Sequence, residues 1–390
     1  MGVLRDRTRF WSHGLGVMEL REISPTPGTD HSDVGYLEGS TIEDISELEK
    51  RFDERGSLTD VLEKTRTAAV RTKLMQVGID EINLIKNSAA KCYSLRYHGV
   101  NKDSGKFQYN AFDKVVLNRS LAREYKTGPQ GIPLEAFVID LSDDLGIDDP
   151  LGYVYESAGQ IRTAGLQLWM DARLGYGNAL AKILEISGFA RHGTLSADYA
   201  TIWQTGTNPD RFLRFDGAND EVNFGNVLND DASGDFVIEI WLQMKAANGT
   251  LEEILSKKSL VSGNTAGFAV YRTTGNLMAF CLGSGTANAL ATTSATVLQN
   301  VNKHFAVTVD RNGNAQTYLN GAADGNPVSV AAIGTGTNAL NLYLGRDGTN
   351  FGQYDVTVLR IYRYVAGGLP ADAATMIANH YNAEKAFFGL

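Results

Sequence analysis

Apolar and polar residues alternate most regularly between Phe212 and Met244. Leu213 and Phe215 stand two apart in F-L-R-F-D-G. Phe236, Ile238, Ile240 and Leu242 do the same in F-V-I-E-I-W-L-Q-M. A period of two is that of a strand with one buried face, and the polar, Gly- and Asp-rich stretch between the runs reads as a turn. Further short strands follow at Glu253–Lys257, Gly267–Arg272, Leu277–Leu282, Lys303–Asp310, Ala315–Asn320, Ala339–Gly345 and Tyr354–Tyr362. Asp310-Arg-Asn-Gly-Asn reads as a hairpin turn with positive φ at both central positions, and Asn320-Gly321 ends the next strand in the same way. Short strands between glycine-rich turns predict an all-β sandwich or jelly roll. Ahead of them, L-Q-L-W-M-D-A from Leu166 opens the alternation, Asn178–Ile186 reads as a brief helix, and Trp203 lies in glycine-rich loop sequence.

The first half of the chain is patterned differently. An Arg-rich opening runs into the loop-like S-P-T-P-G-T-D-H-S-D, then V-G-Y-L-E-G, then a charged stretch from Ser40 to Lys64. That stretch is either a solvated helix or a long arm ordered by a neighbour. Thr67–Val77 alternates as a strand. In Ile79–Ala90 the residues Ile79, Ile82 and Ile85 recur every third position, with Asp80 and Glu81 in the first turn, which predicts an amphipathic helix. Tyr93–Tyr97, Lys106–Leu117 and Leu134–Leu141 read as strands. Strands, one helix, then strands predict an α+β domain, an antiparallel sandwich or half-barrel carrying one short helix. The acids, glycines and proline of D-D-L-G-I-D-D-P-L-G mark a joint within Ser142–Gly165. The expected division is a domain at 1–155 and a jelly roll at 156–390.

Length, charge and cysteine usage narrow the function classes. At 390 residues the chain exceeds one ordinary core. A formal net charge of −9 disfavours sequence-independent nucleic-acid binding on the outer surface, though an acidic channel wall would let DNA slide past. Two distant cysteines, Cys92 and Cys281, imply neither a disulfide framework nor a zinc site, and a reducing compartment for assembly. The opening lacks the apolar core of a secretion signal, and no apolar run is long enough to span a membrane.

Candidate chemistry is sparse. Glycan hydrolysis needs two carboxylates facing one cleft, and Glu239, beside Trp241, has no acidic partner two positions away. No catalytic residue, no enzyme activity and no cofactor are expected. Asp216, Asn219, Asp220 and Asp347 are calcium candidates, and equally plain turn formers. Trp203, Tyr271, Phe351 and Tyr354 lie near loops and are candidates for stacking on sugar rings; Trp169 and Trp241 read as core anchors, and His304 as a strand-entrance residue, packed or solvated.

Two resemblances sharpen this reading. The order of V-G-Y-L-E-G, the charged arm, the strand at Thr67–Val77, the helix at Ile79–Ala90 and the closing strand at Leu134–Leu141 resembles the tail tube fold of long-tailed bacteriophages. That resemblance implies a virion protein of the phage tail, made in the host cytoplasm. It would self-assemble into stacked rings of six subunits around a lumen that holds DNA passively, and touch other tail proteins. Glu49, Arg51 and Arg55 would sit on an arm reaching the next ring. From Gly165 to Asn382, L-Q-L-W-M-D-A, H-G-T-L, L-R-F-D-G-A-N-D-E-V, H-F-A-V-T-V-D, T-Y-L-N-G, L-Y-L-G-R and V-L-R-I-Y-R-Y are similar, in their order, to the concanavalin A-like, laminin G-like jelly roll. The tail L-P-A-D-A-A-T-M-I-A-N-H-Y fits that fold's closing helix. The implied role is an outward surface decoration that binds host glycans weakly. The competing reading is a carbohydrate-binding adhesin, or a capsid or baseplate decoration protein, anchored by its first domain.

Overall fold

A computed structural model describes the strands within residues 9–157, chiefly as backbone, and residues 161–390 apart from 175–180, 184, 188, 190, 197–198, 210, 231–233, 246–248, 349 and 365–367. The chain divides into two units, Met1–Ser157 and Ala158–Leu390. The named elements of both are chiefly antiparallel strands. No helix among the described residues is long and apolar enough to cross a membrane.

The first unit contains β1 (Arg9–Ser24), β2 (Ser32–Leu37), β3 (Thr41–Phe52), β4 (Leu58–Leu74), β5 (Cys92–Asn101), β6 (Phe107–Leu117), β7 (Ile132–Val138) and β8 (Tyr153–Ser157). Neighbours run β1-β3-β4-β7-β6-β5, and β1 also pairs with β5, so the order closes on itself; β2 flanks β1, and β8 pairs with β6. Closure removes most free edges. Of the Arg-rich opening, the described residues from Arg9 onward belong to β1, and β8 lies within the stretch read as a joint. The helix expected at Ile79–Ala90 lies outside the described residues, as does Arg55.

The charged stretch is not a solvated helix: its described residues lie in two paired strands, β3 and β4, in register from Thr41 opposite Arg71 to Phe52 opposite Leu58. Its apolar residues Ile42, Ile45, Leu48 and Phe52 recur every three or four positions, as in a helix; cross-strand pairing overrides that spacing. Arg51 faces Asp60 and Glu49 faces Leu62 near the tip. β1 pairs with β3 only up to Asp44, and β7 with β4 only from Ala68. Beyond those points the ribbon is two strands wide among the described residues, over on the order of 25 Å.

The second unit is a sandwich. The smaller sheet orders β10 (Lys182–Ile183), β11 (Gly193–Leu195), β14 (Val222–Asn223), β24 (Tyr343–Leu344), β16 (Glu252–Ser256), β17 (Gly267–Arg272), β18 (Met278–Gly283) and β19 (Asn288–Thr292). The larger orders β12 (Trp203–Thr205), β13 (Arg211–Asp216), β25 (Gln353–Tyr364), β15 (Asp235–Met244), β20 (Asn302–Val309), β21 (Asn314–Leu319) and β22 (Ala322–Ala323), with β9 (Leu166–Asp171) on β25 and β23 (Val328–Ser329) on β21. A short helix, α1 (Tyr199–Ile202), and a longer one, α2 (Ala373–Glu384), complete the unit. Of the brief helix expected over Asn178–Ile186, the described residues Lys182–Ile183 form the short strand β10, pairing with β11, and 178–180 and 184 lie outside the described residues. At Asn320-Gly321 both residues take positive φ, 52° and 80°. At Asn312-Gly313 the turn closes differently: Asp310 Oδ1 accepts the Asn312 N–H at 2.9 Å.

Between the sheets, Phe236, Ile238, Ile240 and Leu242 of β15 meet Phe268, Val270, Phe280 and Leu282 of β17 and β18 in one core. The alternate residues of β15 are buried too. The strand's other face lies under α2, so the expectation of one buried face understates it. Trp169 and Trp241 have no exposed surface, yet they belong to this outer layer and not to the inter-sheet core. Trp241 stacks on Phe388 with centroids 3.9 Å apart, and its Nε1 donates to Glu384 Oε2 at 2.9 Å. Arg360 forms a bidentate pair with Glu384 and lies 4.6 Å from the Trp169 ring. His304, the third residue of β20, takes the packed of its two alternatives, wholly buried against Trp241. The Arg162 N–H donates to His380 Nε2, so Nδ1 carries the ring proton toward Glu239, 3.0 Å away. Burial opposes the Glu239 charge, but His380 and His304 outweigh it and hold the carboxyl far below its usual range.

Glu384 is the point where the helix is tied to the sheet. Glu384→Ala removes the bidentate partner of the buried Arg360 guanidinium, leaving it Glu239 at 3.6 Å, and the acceptor of the Trp241 N–H, a loss of about 3–5 kcal/mol. Chemical denaturation should show that loss with a red-shifted tryptophan emission; unchanged stability would contradict this role for the pair.

Candidate functional site

The loops at one rim of the sandwich enclose a cleft of about 590 Å³, lined by Gly217, Ala218, Thr250, Leu251, Glu253, Leu260, Val261, Ser262, Asp347, Asn350 and Phe351. Four short segments build it. After β13, Asp216 Oδ1 accepts the Ala218 N–H at 2.7 Å, and Asp220 Oδ2 accepts the Asp216 N–H at 2.8 Å, folding the first turn onto itself. The second wall is the hairpin around 345–352. Gly345 has φ +98°, and a side chain there would come within 2.6 Å of the Phe215 ring. Asp347 locks the hairpin to the third segment: it accepts N–H groups from Asn350 at 2.9 Å and from Val261 at 3.2 Å.

Glu253 forms the floor. β16 shifts register between Glu253 and Leu255, a bulge-like irregularity of the kind that re-aims side chains. The residue is 1% exposed, and its Oε2 has no hydrogen-bond partner. Burial, with Asp347 and Glu252 adding repulsion, pushes its carboxyl up to about 7. The neighbouring Glu252 is instead ion-paired with Arg272. Phe351 is half-buried on the wall, with Arg346 5.9 Å from its ring; Arg346 is itself paired with Glu221 at 2.7 Å. The lining thus contains two carboxylates, one aromatic ring and no basic side chain.

Of the four aromatic candidates, Phe351 alone lines the cleft. Trp203 is packed into the sandwich core. Tyr354 is fully buried, stacked on Phe215 at 4.9 Å, with its hydroxyl donating to the Ile254 carbonyl. Tyr271 lies beneath Val261 and Leu251 on the outer face of the smaller sheet, and burial pushes its phenol up to about 12. None of these three presents a ring face to solvent. The calcium candidates do not converge: Asp347 lines the cleft, Asp216 and Asp220 are engaged in their own turn, and Asn219 is exposed. Among the described residues no three acidic, histidine or cysteine side chains form a group that could hold a metal. Glu253 was the residue missed. Its signal was a pair of adjacent acids, Glu252-Glu253, at the head of an apolar strand, where alternation sends one to each face.

The family model described as the concanavalin A-like lectin/glucanases superfamily matches residues 216–365. No curated protein matches the sequence. Among solved structures, the binding domain of Paraclostridial Mosquitocidal Protein 1 is similar at 14% identity and TM-score 0.44, covering 56% of this chain and 52% of that one. The binding domain of botulinum neurotoxin serotype G gives 18%, 0.40, 55% and 50%. Domain 4 of an extracellular GH43 arabinanase from Geobacillus stearothermophilus, in complex with arabinotriose, gives 14%, 0.41, 55% and 98%. The match therefore spans about half the length of the first two. The C-terminal region carries a concanavalin A-like, laminin G-like jelly roll.

The pH response of Glu253 follows from its raised carboxyl. A group whose pKa is higher folded than unfolded stabilises the fold at low pH, and that contribution is lost as pH rises from about 4.5 through about 7. Glu253→Gln should flatten this decline and be more stable than the parent at pH 8 by on the order of 2 kcal/mol. Parallel pH-stability curves for the two proteins would contradict the assignment.

Proposed function

We propose that the protein binds carbohydrate at the rim cleft of its C-terminal jelly roll and carries that site on a self-associating N-terminal unit. The observation that carries the first part is the cleft itself. An acceptor carboxylate on the floor, amide and hydroxyl groups from Asn350, Ser262 and Thr250, and an aromatic ring on the wall suit a ligand with many hydroxyls and apolar ring faces. A match to a superfamily of lectins and glucanases supports the same ligand class. Binding without turnover is favoured, because Asp347 uses both oxygens to hold Val261 and Asn350 in place and is poorly placed to act as a second catalytic carboxylate.

The second part rests on the β3–β4 ribbon. A two-stranded hairpin is marginal in water unless another surface covers it, and its charged tip, with Glu49 and Arg51, suits a neighbouring copy. The finer reading is a virion protein of a phage tail tube, with rings stacked through these arms around a DNA-holding lumen and the jelly rolls displayed outward in many copies. Weak sites repeated in this way bind host glycans by avidity. The alternative, an adhesin or decoration protein anchored by its first unit, shares the cleft and differs in assembly.

Binding of the purified full chain to a glycan array tests the cleft. Phe351→Ala should weaken the strongest interaction roughly threefold to tenfold, and an array with no binding would contradict the reading. Negative-stain microscopy of the same preparation tests assembly: stacked rings or tubes are expected, whereas a monomer at high concentration would favour the anchored adhesin.

A further inference from the structure

We propose that the cleft selects glycans bearing a positively charged amino group, of the glucosamine type, over neutral or N-acetylated ones. This inference rests on the carbohydrate reading above and adds the ligand's charge. Both ionisable groups in the lining, Glu253 and Asp347, are acids. The Arg346 guanidinium, 5.9 Å from the Phe351 ring, is paired with Glu221 and is not part of the lining. Cleft-lining Asp347 has its oxygens occupied by the Val261 N–H and by Asn350. Glu253 differs: it is nearly solvent-free, lines the cleft, and keeps an oxygen without a partner.

A buried carboxylate oxygen with no donor is costly, and its native interior supplies none. A hydroxyl would satisfy it with a neutral hydrogen bond. An ammonium would satisfy it with a charge-assisted one and also offset the repulsion from Asp347 and Glu252, which no neutral ligand does. The Phe351 ring can accept the same cation on its face. An N-acetyl group removes the charge and adds bulk at the floor. A sulfated or carboxylated glycan would bring a third negative charge into the cleft and is disfavoured.

The test is titration calorimetry of the full chain near pH 7 with three oligosaccharides of equal length: β1,4-linked glucosamine, its N-acetylated counterpart and the corresponding neutral glucan. The glucosamine oligomer should bind about tenfold tighter than either, the ratio set by one desolvated charge-assisted hydrogen bond. Glu253→Gln should bring the glucosamine-to-glucan affinity ratio from about tenfold to about one; circular dichroism of this near-isosteric variant checks folding. Equal affinity for all three overturns the charge preference and leaves the carbohydrate reading standing. A preference that survives Glu253→Gln is attraction to the acidic chain as a whole and overturns the site. An oligolysine peptide binding more tightly than every sugar overturns the glycan assignment in favour of a basic peptide. No binding to these or to any arrayed glycan overturns both readings.

Discussion

The second unit depends on burying charge where a sandwich normally meets water. Arg360, Glu384, Glu239, His304, His380 and Asp171 are all nearly solvent-free, and all lie on the outer side of the larger sheet. Ions are expensive to desolvate, and such a layer holds only when each partner is present. Glu384 meets that condition with Arg360, Arg173 and the Trp241 N–H at once. The helix that carries Glu384 and His380 is therefore part of the sheet's electrostatics, and removing it would take the bidentate partner from Arg360 and expose two tryptophans.

This closure limits where a ligand can bind. Over its central strands the outer face of the larger sheet is covered by α2. On the smaller sheet, Ala269, Tyr271, Ala279 and Cys281 are covered by the segment that carries Val261, with Leu251 beside it. With both faces occupied in this way, a recessed surface remains at the rim, where loops can leave polar groups unsatisfied without destabilising the core. The same Asp347 that builds the rim turn also anchors the covering segment through Val261. Site geometry and sheet coverage are thus mechanically linked, and the cleft sits on a rigid frame.

Much of the second unit was legible because its strands bury alternate residues against a single core, as in Phe236, Ile238 and Ile240. The outer layer was less legible. Glu239 and His304 look like surface residues until the distant helix brings His380 across 141 positions. Trp203, Tyr271 and Tyr354 sit beside loops in sequence, but burial depends on which segment folds back over them, and local pattern does not encode that. In the first unit, the apolar spacing of β3 imitates a helix, and β1 offers little alternation, so local pattern does not encode its pairing with β5 over a long register. Glu253 escaped notice because its distinction is the absence of a partner, which only three dimensions reveal.

Ligand recognition at the rim between Glu253 and Phe351 is tested by a crystal structure of the full chain soaked with the best-binding oligosaccharide. The expected result is a sugar ring against Phe351 with a polar atom within hydrogen-bond distance of Glu253 Oε2. A sugar seated elsewhere on the sandwich, with the rim cleft holding only water, would contradict it.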